Sequence, residues 1–148
     1  VKSNNITEAD RILVADANPE VCDNVLEALI ESGYHAETAA NCGHVLERTA
    51  TDGWSVIMID VDLPGMSNTE LLVRLQEYCP ESSVILLSGC PTLDGVVEAM
   101  RHGACDLLTK PFDLQELIGA VQRGVRRYQR TINPSVSRHP VGDDLRVD

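Results

Sequence analysis

The chain has 148 residues, 43% hydrophobic but only 3% aromatic; this length fits one domain, with a core that must be built from Val, Leu, Ile, Ala and Met. A formal net charge of −11 makes the chain by itself a poor match for nucleic acid or for an anionic membrane surface. No apolar run approaches a membrane span and no signal peptide is visible, so a cytoplasmic location is expected.

Residues 1–10 are polar and read as a loose leader; the start at Val1 rather than Met reads as a piece of a longer protein. Arg11-Ile-Leu-Val-Ala-Asp16 is a short buried strand. Asn18-Pro19 breaks it, with Pro19 suited to the first turn of a helix. Val21, Val25, Leu26, Leu29 and Ile30 then recur at helical spacing, and Gly33 ends that helix. Tyr34 to Thr38 is a weaker strand whose mixed polarity suits a sheet edge. Asn41 to Thr51 carries Val45, Leu46 and Ala50, a modest helix that stops near Gly53.

The next stretch is the most informative. Ser55-Val-Ile-Met-Ile-Asp60 is an apolar run closed by Asp62, Pro64 and Gly65, the pattern of a strand buried on both faces. Its end carries Asp60 out of the core. Asn68 to Tyr78 places Leu71, Leu72 and Leu75 on one helical face, with Pro80 just beyond. Ser83-Val-Ile-Leu-Leu-Ser88 is a fourth strand ending in a hydroxyl. Leu93 to His102, with Val96, Val97 and Met100, is a fourth helix, capped by Gly103. Cys105 to Thr109 is the fifth strand, broken by Lys110-Pro111. Asp113 caps a fifth helix, buried through Leu114, Leu117, Ile118, Val121 and Val125. The periodicity fails after Tyr128, so 11–128 reads as the domain. Residues 129–148 read as a helix end and tail leading towards an output domain.

Five strands alternating with five helices on short loops predict an α/β fold, a parallel sheet covered on both faces. Five cysteines, at 22, 42, 79, 90 and 105, form no C-x-x-C and no zinc-like spacing; they are expected to be reduced, buried thiols.

In such a sheet ligands bind at the carboxyl ends of the strands. Those ends deliver Asp16, Asp60, Ser88 and Lys110 to one edge. Each has a plainer reading alone, as a turn former, a loop hydroxyl or a strand exit. Together they suit phosphoryl transfer onto a carboxylate. The acids favour a hard cation, most plausibly Mg²⁺, while the lysine and hydroxyl favour phosphoryl oxygens.

The residues Ile-Leu-Val-Ala-Asp16-Ala-Asn-Pro-Glu, Asp60-Val-Asp-Leu-Pro-Gly-Met, Ile-Leu-Leu-Ser88-Gly and Leu-Leu-Thr-Lys110-Pro-Phe-Asp resemble, in this order, the receiver domain of two-component response regulators, over about residues 11 to 128. The resemblance implies a flavodoxin-like (βα)5 sandwich with strand order 2-1-3-4-5. It implies that Asp60 accepts a phosphoryl group from a phosphohistidine on a sensor histidine kinase or phosphotransfer protein. It further implies that Ser88 and Lys110 contact that group, and that Mg²⁺ is required.

The chain departs from that family at three points, Ala17, Asn68 and Leu107. The family normally ends its first strand in two adjacent acids; here Asp16 takes the first place and Ala17 the second. Weaker Mg²⁺ binding is therefore expected. Asp62, two residues past Asp60, either lends its side chain to the metal or is a solvated loop acid. Asn68 stands at a usual glycine, a mild change because Asn tolerates left-handed backbone. Leu107 stands where the family places the Phe or Tyr that swings inward with the Ser88 hydroxyl on activation, so the switch is expected to be muted or built differently.

The leading reading is a phosphorylation-switched receiver, not an enzyme beyond Mg²⁺-dependent self-phosphorylation and dephosphorylation. Its readout would be the fourth helix, fifth strand and fifth helix, through a homodimer or an attached output domain. The alternative is a degenerate receiver that serves as a phosphorylation-independent interaction module, favoured by Ala17 and Leu107. A nucleotide-binding enzyme ranks far behind, because the loop after Asp16 has no glycine to cradle phosphate. Arg123, Arg126, Arg127 and Arg130 read first as cations that favour a helix C-terminus, and second as a partner patch.

Overall fold

The computed structural model describes residues 9–51 and 53–134. The predicted leader up to residue 8 and the tail from residue 135 lie outside the described residues. The elements alternate without exception: β1 (Arg11–Ala15), α1 (Pro19–Glu31), β2 (His35–Ala39), α2 (Cys42–Thr49), β3 (Val56–Asp60), α3 (Asn68–Tyr78), β4 (Ser83–Ser88), α4 (Leu93–Arg101), β5 (Ala104–Thr109) and α5 (Leu114–Ile132). All strand pairs are parallel, in the order β2-β1-β3-β4-β5. This is the flavodoxin-like arrangement that the resemblance implied.

The two faces follow from strand periodicity, since alternate side chains point to opposite sides. Leu13, Ala15, Ile57, Ile59, Val84 and Leu86 meet α2, α3 and α4 through Val45, Leu71, Leu72, Leu75 and Ala99. Ile12, Val14, Val56, Met58, Ile85 and Leu87 meet α1 and α5 through Val25, Leu29, Leu117, Val121 and Val125. β3 is buried at every residue, as a strand covered on both faces must be. The core is aliphatic as composition requires, except for Trp54, which is fully buried. Its indole N–H donates to the Arg48 carbonyl (3.2 Å), and the Arg11 guanidinium lies 4.4 Å from the ring centroid.

Local chemistry sets the helix starts. Asn18, Asn41, Ser67, Thr92 and Asp113 each accept a backbone N–H at an N-cap, and Asp113 forms a reciprocal capping box with Glu116. Asn68 is the first residue of α3, so its place makes no demand for left-handed backbone. The positive φ in that loop belongs to Gly65 (125°).

α5 runs to Ile132, past Tyr128 where the apolar spacing ends, in line with the helix end read beyond residue 128. The added turn is exposed and is carried by helix-favouring Gln and Arg rather than by packing. Among the cysteines, Cys22, Cys42 and Cys79 are buried and Cys105 is half-buried, but Cys90 is exposed in the loop after β4. Burial pushes the thiols of Cys22, Cys42, Cys79 and Cys105 up.

α5 approaches the sheet at Gly124, whose carbonyl accepts from the Ser83 hydroxyl (2.7 Å). A β-carbon there would lie 2.9 Å from Val56 Cγ2. Gly124→Ala is therefore expected to lose about 1–2 kcal/mol by overpacking, although helix propensity alone predicts a gain of about 1 kcal/mol. Urea unfolding followed by circular dichroism gives the sign.

At the sheet edge, Glu37 accepts from Arg11 (3.1 Å), Arg48 (2.8 Å) and His35 (2.9 Å). The His35 hydrogen bond, aided by the charges of Arg11 and Arg48 and opposed by burial, holds the Glu37 carboxyl below its usual range. A lowered folded pKa means stability that is present above the unfolded value of about 4.3 and lost as pH falls through the folded value. Glu37→Gln should therefore lose less stability than the wild type between about pH 5 and about pH 3, in urea melts at both.

Candidate functional site

The strand register assembles the site. Ala15 pairs with Ile59, so Asp16 and Asp60 are the next residues on neighbouring strands. Asp60 pairs with Leu87, one residue before Ser88, and Ser88 pairs with Thr109, one residue before Lys110. Three adjacent strand ends and the first loop residue after β1 thus reach the same edge.

Asp16 is 2% and Asp60 9% exposed. The Lys110 ammonium donates to Asp16 Oδ2 at 2.7 Å and to Asp60 Oδ2 at 3.2 Å. Each remaining oxygen takes a backbone donor. Asn18 N–H donates to Asp16 Oδ1 (2.9 Å) and Asp62 N–H to Asp60 Oδ1 (3.0 Å). Both are the local turn bonds that aspartate makes two residues ahead. The Cys22 thiol donates to the Asp16 carbonyl (3.2 Å), so α1 is tied to the end of β1.

Burial works against the charge on Lys110, but hydrogen bonds and attraction from Asp16 and Asp60 outweigh it and raise the lysine pKa. A raised folded pKa means that this stability is complete below the unfolded value of about 10.4 and is lost only as pH climbs through the folded value. At neutral pH the bridge is intact.

Ser88 is buried. Its hydroxyl accepts from Cys90 N–H (3.2 Å), and its carbonyl accepts from Lys110 N–H (2.8 Å). The peptide bond from Lys110 to Pro111 is cis. Asp62 is exposed, with its backbone rather than its side chain bonded to Asp60. Leu107 is half-buried. It lines a cavity of about 280 Å³ with Ser88, Leu86, Ala99 and Met100.

The structure thus joins Asp16, Asp60 and Lys110 directly, and ties Ser88 to the lysine through the backbone. Sequence reasoning missed the Lys110–Asp16 bond. Its partners are 94 residues apart, and no local pattern announces a contact of that kind. It also missed the anchoring of the loop after Asp60, where Cys42 N–H donates to the Pro64 carbonyl (2.9 Å).

Among the described residues no group of three or more His, Cys, Asp or Glu side chains is arranged to hold a metal ion. Two buried carboxylates converging on one cation nevertheless fit Mg²⁺, which proteins bind through one or two carboxylates together with phosphate oxygens. Among the described residues no helix is long and apolar enough to cross a membrane.

Lys110→Met would leave two buried carboxylates facing each other and should cost about 3 kcal/mol. Asp60→Asn should cost less, because Lys110 keeps its shorter bond to Asp16. Paired urea titrations of the two variants test that order.

Residues 12–122 match the family model described as the response regulator receiver domain. The DNA-binding transcriptional regulator NtrC of Escherichia coli (strain K12) is 36% identical over 111 residues, covering 74% of this chain and 24% of that protein. This chain therefore spans about a quarter of that relative. A CheY-like receiver domain from Methanospirillum hungatei JF-1 superposes with a TM-score of 0.79 at 25% identity, covering 83% of this chain and 98% of its own. The beryllofluoride-activated NtrC4 receiver domain dimer gives a TM-score of 0.75 at 27% identity, covering 80% and 98%.

Proposed function

The chain belongs to the response regulator receiver domain family, and on that premise we propose that Asp60 accepts a phosphoryl group from a phosphohistidine of a sensor histidine kinase or phosphotransfer protein. As a receiver the chain is a signalling module of two-component systems rather than an enzyme in its own right. The observation that carries the proposal is the carboxylate of Asp60, brought by β3 to the sheet edge and held by the same lysine that holds Asp16.

In the transfer step an Asp60 carboxylate oxygen attacks phosphorus. The bond from phosphorus to the donor's imidazole nitrogen breaks, and its electron pair stays on that nitrogen, which takes up a proton. The backbone bond from Asp62 to Oδ1 and the ammonium at Oδ2 orient the nucleophile. Lys110 then pairs with phosphoryl oxygens, and the Ser88 hydroxyl donates to one of them. Asp16 and Asp60, with Asp62 alongside, would hold Mg²⁺, which when bound neutralises charge on the phosphoryl oxygens.

The response shifts an equilibrium between inactive and active forms, read on α4, β5 and α5. α4 carries Leu93, Val97 and Met100 exposed, and Arg123 pairs with Asp106 of β5 (3.2 Å). An apolar stripe beside a charged pair suits a second copy or an attached output domain, and the structural likeness to a receiver dimer supports the former. Leu107 gives that switch no aromatic lever. Ala17 and Leu107 also favour the second reading, a receiver that serves as an interaction module with little phosphorylation.

Incubation with Mg²⁺ and acetyl phosphate, followed by intact-mass measurement, should add one phosphoryl group to the wild type and none to Asp60→Asn. No gain in the wild type, even with its cognate kinase, would leave the interaction module as the reading. Ala17→Asp should raise the rate at low Mg²⁺ by about tenfold, through the added carboxylate.

A further inference from the structure

We propose that Cys42 is a positioning residue for Asp60: from the start of α2 it clamps the loop at residues 61–66, and through that loop it sets the amide that orients the carboxylate. The inference rests on the reading of Asp60 as phosphoacceptor and adds a residue that acts on it through the backbone.

One residue answers three carbonyls of that loop. The Cys42 N–H donates to the Pro64 carbonyl (2.9 Å). The thiol lies within donating distance of the Leu63 carbonyl (3.7 Å) and the Met66 carbonyl (3.9 Å), and its one proton is shared between them. Burial raises the Cys42 thiol pKa, so the group stays protonated and able to donate. The bond from the N–H has a local cause, since the first amides of a helix lack an acceptor within it. The Asn41 side chain takes the His44 N–H, and the loop takes that of Cys42.

Packing closes the clamp. Cys42 is 1% exposed. Gly65, with a φ of 125°, lies so close that a β-carbon there would come within 3.0 Å of Cys42 Cβ and 3.3 Å of its nitrogen. This approach needs glycine on the loop and a small side chain on the helix. The other side of the loop is tied to Asp60: Leu63 N–H donates to the Asp60 carbonyl (3.0 Å), and Asp62 N–H to Oδ1 (3.0 Å). The turn is thus held by the last residue of β3 and the first of α2. A larger side chain at position 42 would push Pro64 and Gly65 outward, and the Asp62 amide two residues away would turn with them.

The test compares variants of the whole chain on two readouts: the rate of phosphorylation by acetyl phosphate with Mg²⁺, and the amide resonance of Asp62 without phosphodonor. Cys42→Val crowds Gly65 and removes the thiol donor. It should lower the rate at saturating acetyl phosphate about tenfold, leave the KM for acetyl phosphate nearly unchanged and shift the Asp62 amide. Cys42→Ser, which keeps size and donor, should react as the wild type does. Val45→Ala, a fully buried position one turn along α2, should lower the urea midpoint but change neither the rate nor the amide. Cys42→Ala serves where the valine variant does not fold and should shift the same amide to a lesser extent. A wild-type rate in folded Cys42→Val, an unmoved Asp62 amide, or an equal slowing by Val45→Ala overturns the proposal. Absence of phosphoryl transfer to Asp60 in the wild type would instead overturn the reading on which it rests, and the Asp62 amide would then still decide the clamp.

Discussion

One ammonium group stands between two buried carboxylates, and the arrangement of the carboxyl edge depends on it. The bonds from Lys110 close separations of 94 and 50 residues and tie the exit of β5 to those of β1 and β3. Without the lysine, Asp16 and Asp60 would be like charges in neighbouring registers, shielded from water. Ion clusters of this kind are a poor way to gain stability, because desolvation of the charges offsets most of their attraction and apolar residues of similar volume serve as well. Their presence at a strand edge is better explained by chemistry that needs charge in a dry place. The rest of the fold serves that placement: α1 and α5 on one face and α2, α3 and α4 on the other hold the central strands rigid up to their last residue.

α4 is the exception. Only Ala99 is buried on it; Gly95, Val96, Ala99 and Met100 border the cavity beside Ser88 and Leu107, while Leu93 and Val97, and part of Met100, are exposed. A helix with a single buried residue contributes little to the core that could not be regained elsewhere. Such an element belongs to the weakly held end of a fold's local stabilities, which is where a segment that must rearrange is expected to lie. Leu107 of β5 is half-buried and lines the cavity that α4 borders.

Much of this was legible in the sequence because the relevant signals are local. The apolar run ending at Asp60, the N-caps at Asn18 and Asp113, and the alternation of strand and helix each need only a few consecutive residues to be recognised. The convergence of Asp16, Asp60, Ser88 and Lys110 was also accessible, since parallel strands place all their carboxyl ends on one edge. What could not be read were contacts set by tertiary geometry: the choice of Lys110 to pair with Asp16 as well as Asp60, the burial of Trp54, and the outward face of α4. Apolar residues at helical spacing say that a face exists. They do not say whether a neighbour covers it, and among the described residues Leu93, Val97 and Met100 stay exposed.

Trp54 lies two residues before β3, at the opposite end of that strand from Asp60. At about 3.3 Å per strand residue, its indole sits about 20 Å from the carboxylate pair, boxed in by the Arg48 carbonyl and the Arg11 guanidinium. It is the single tryptophan of the chain. Its fluorescence therefore reports whether the amino edge of the sheet is intact and is almost blind to events at the carboxyl edge. The molecule carries an optical probe of its unfolding that is separate from the probe its signalling would need.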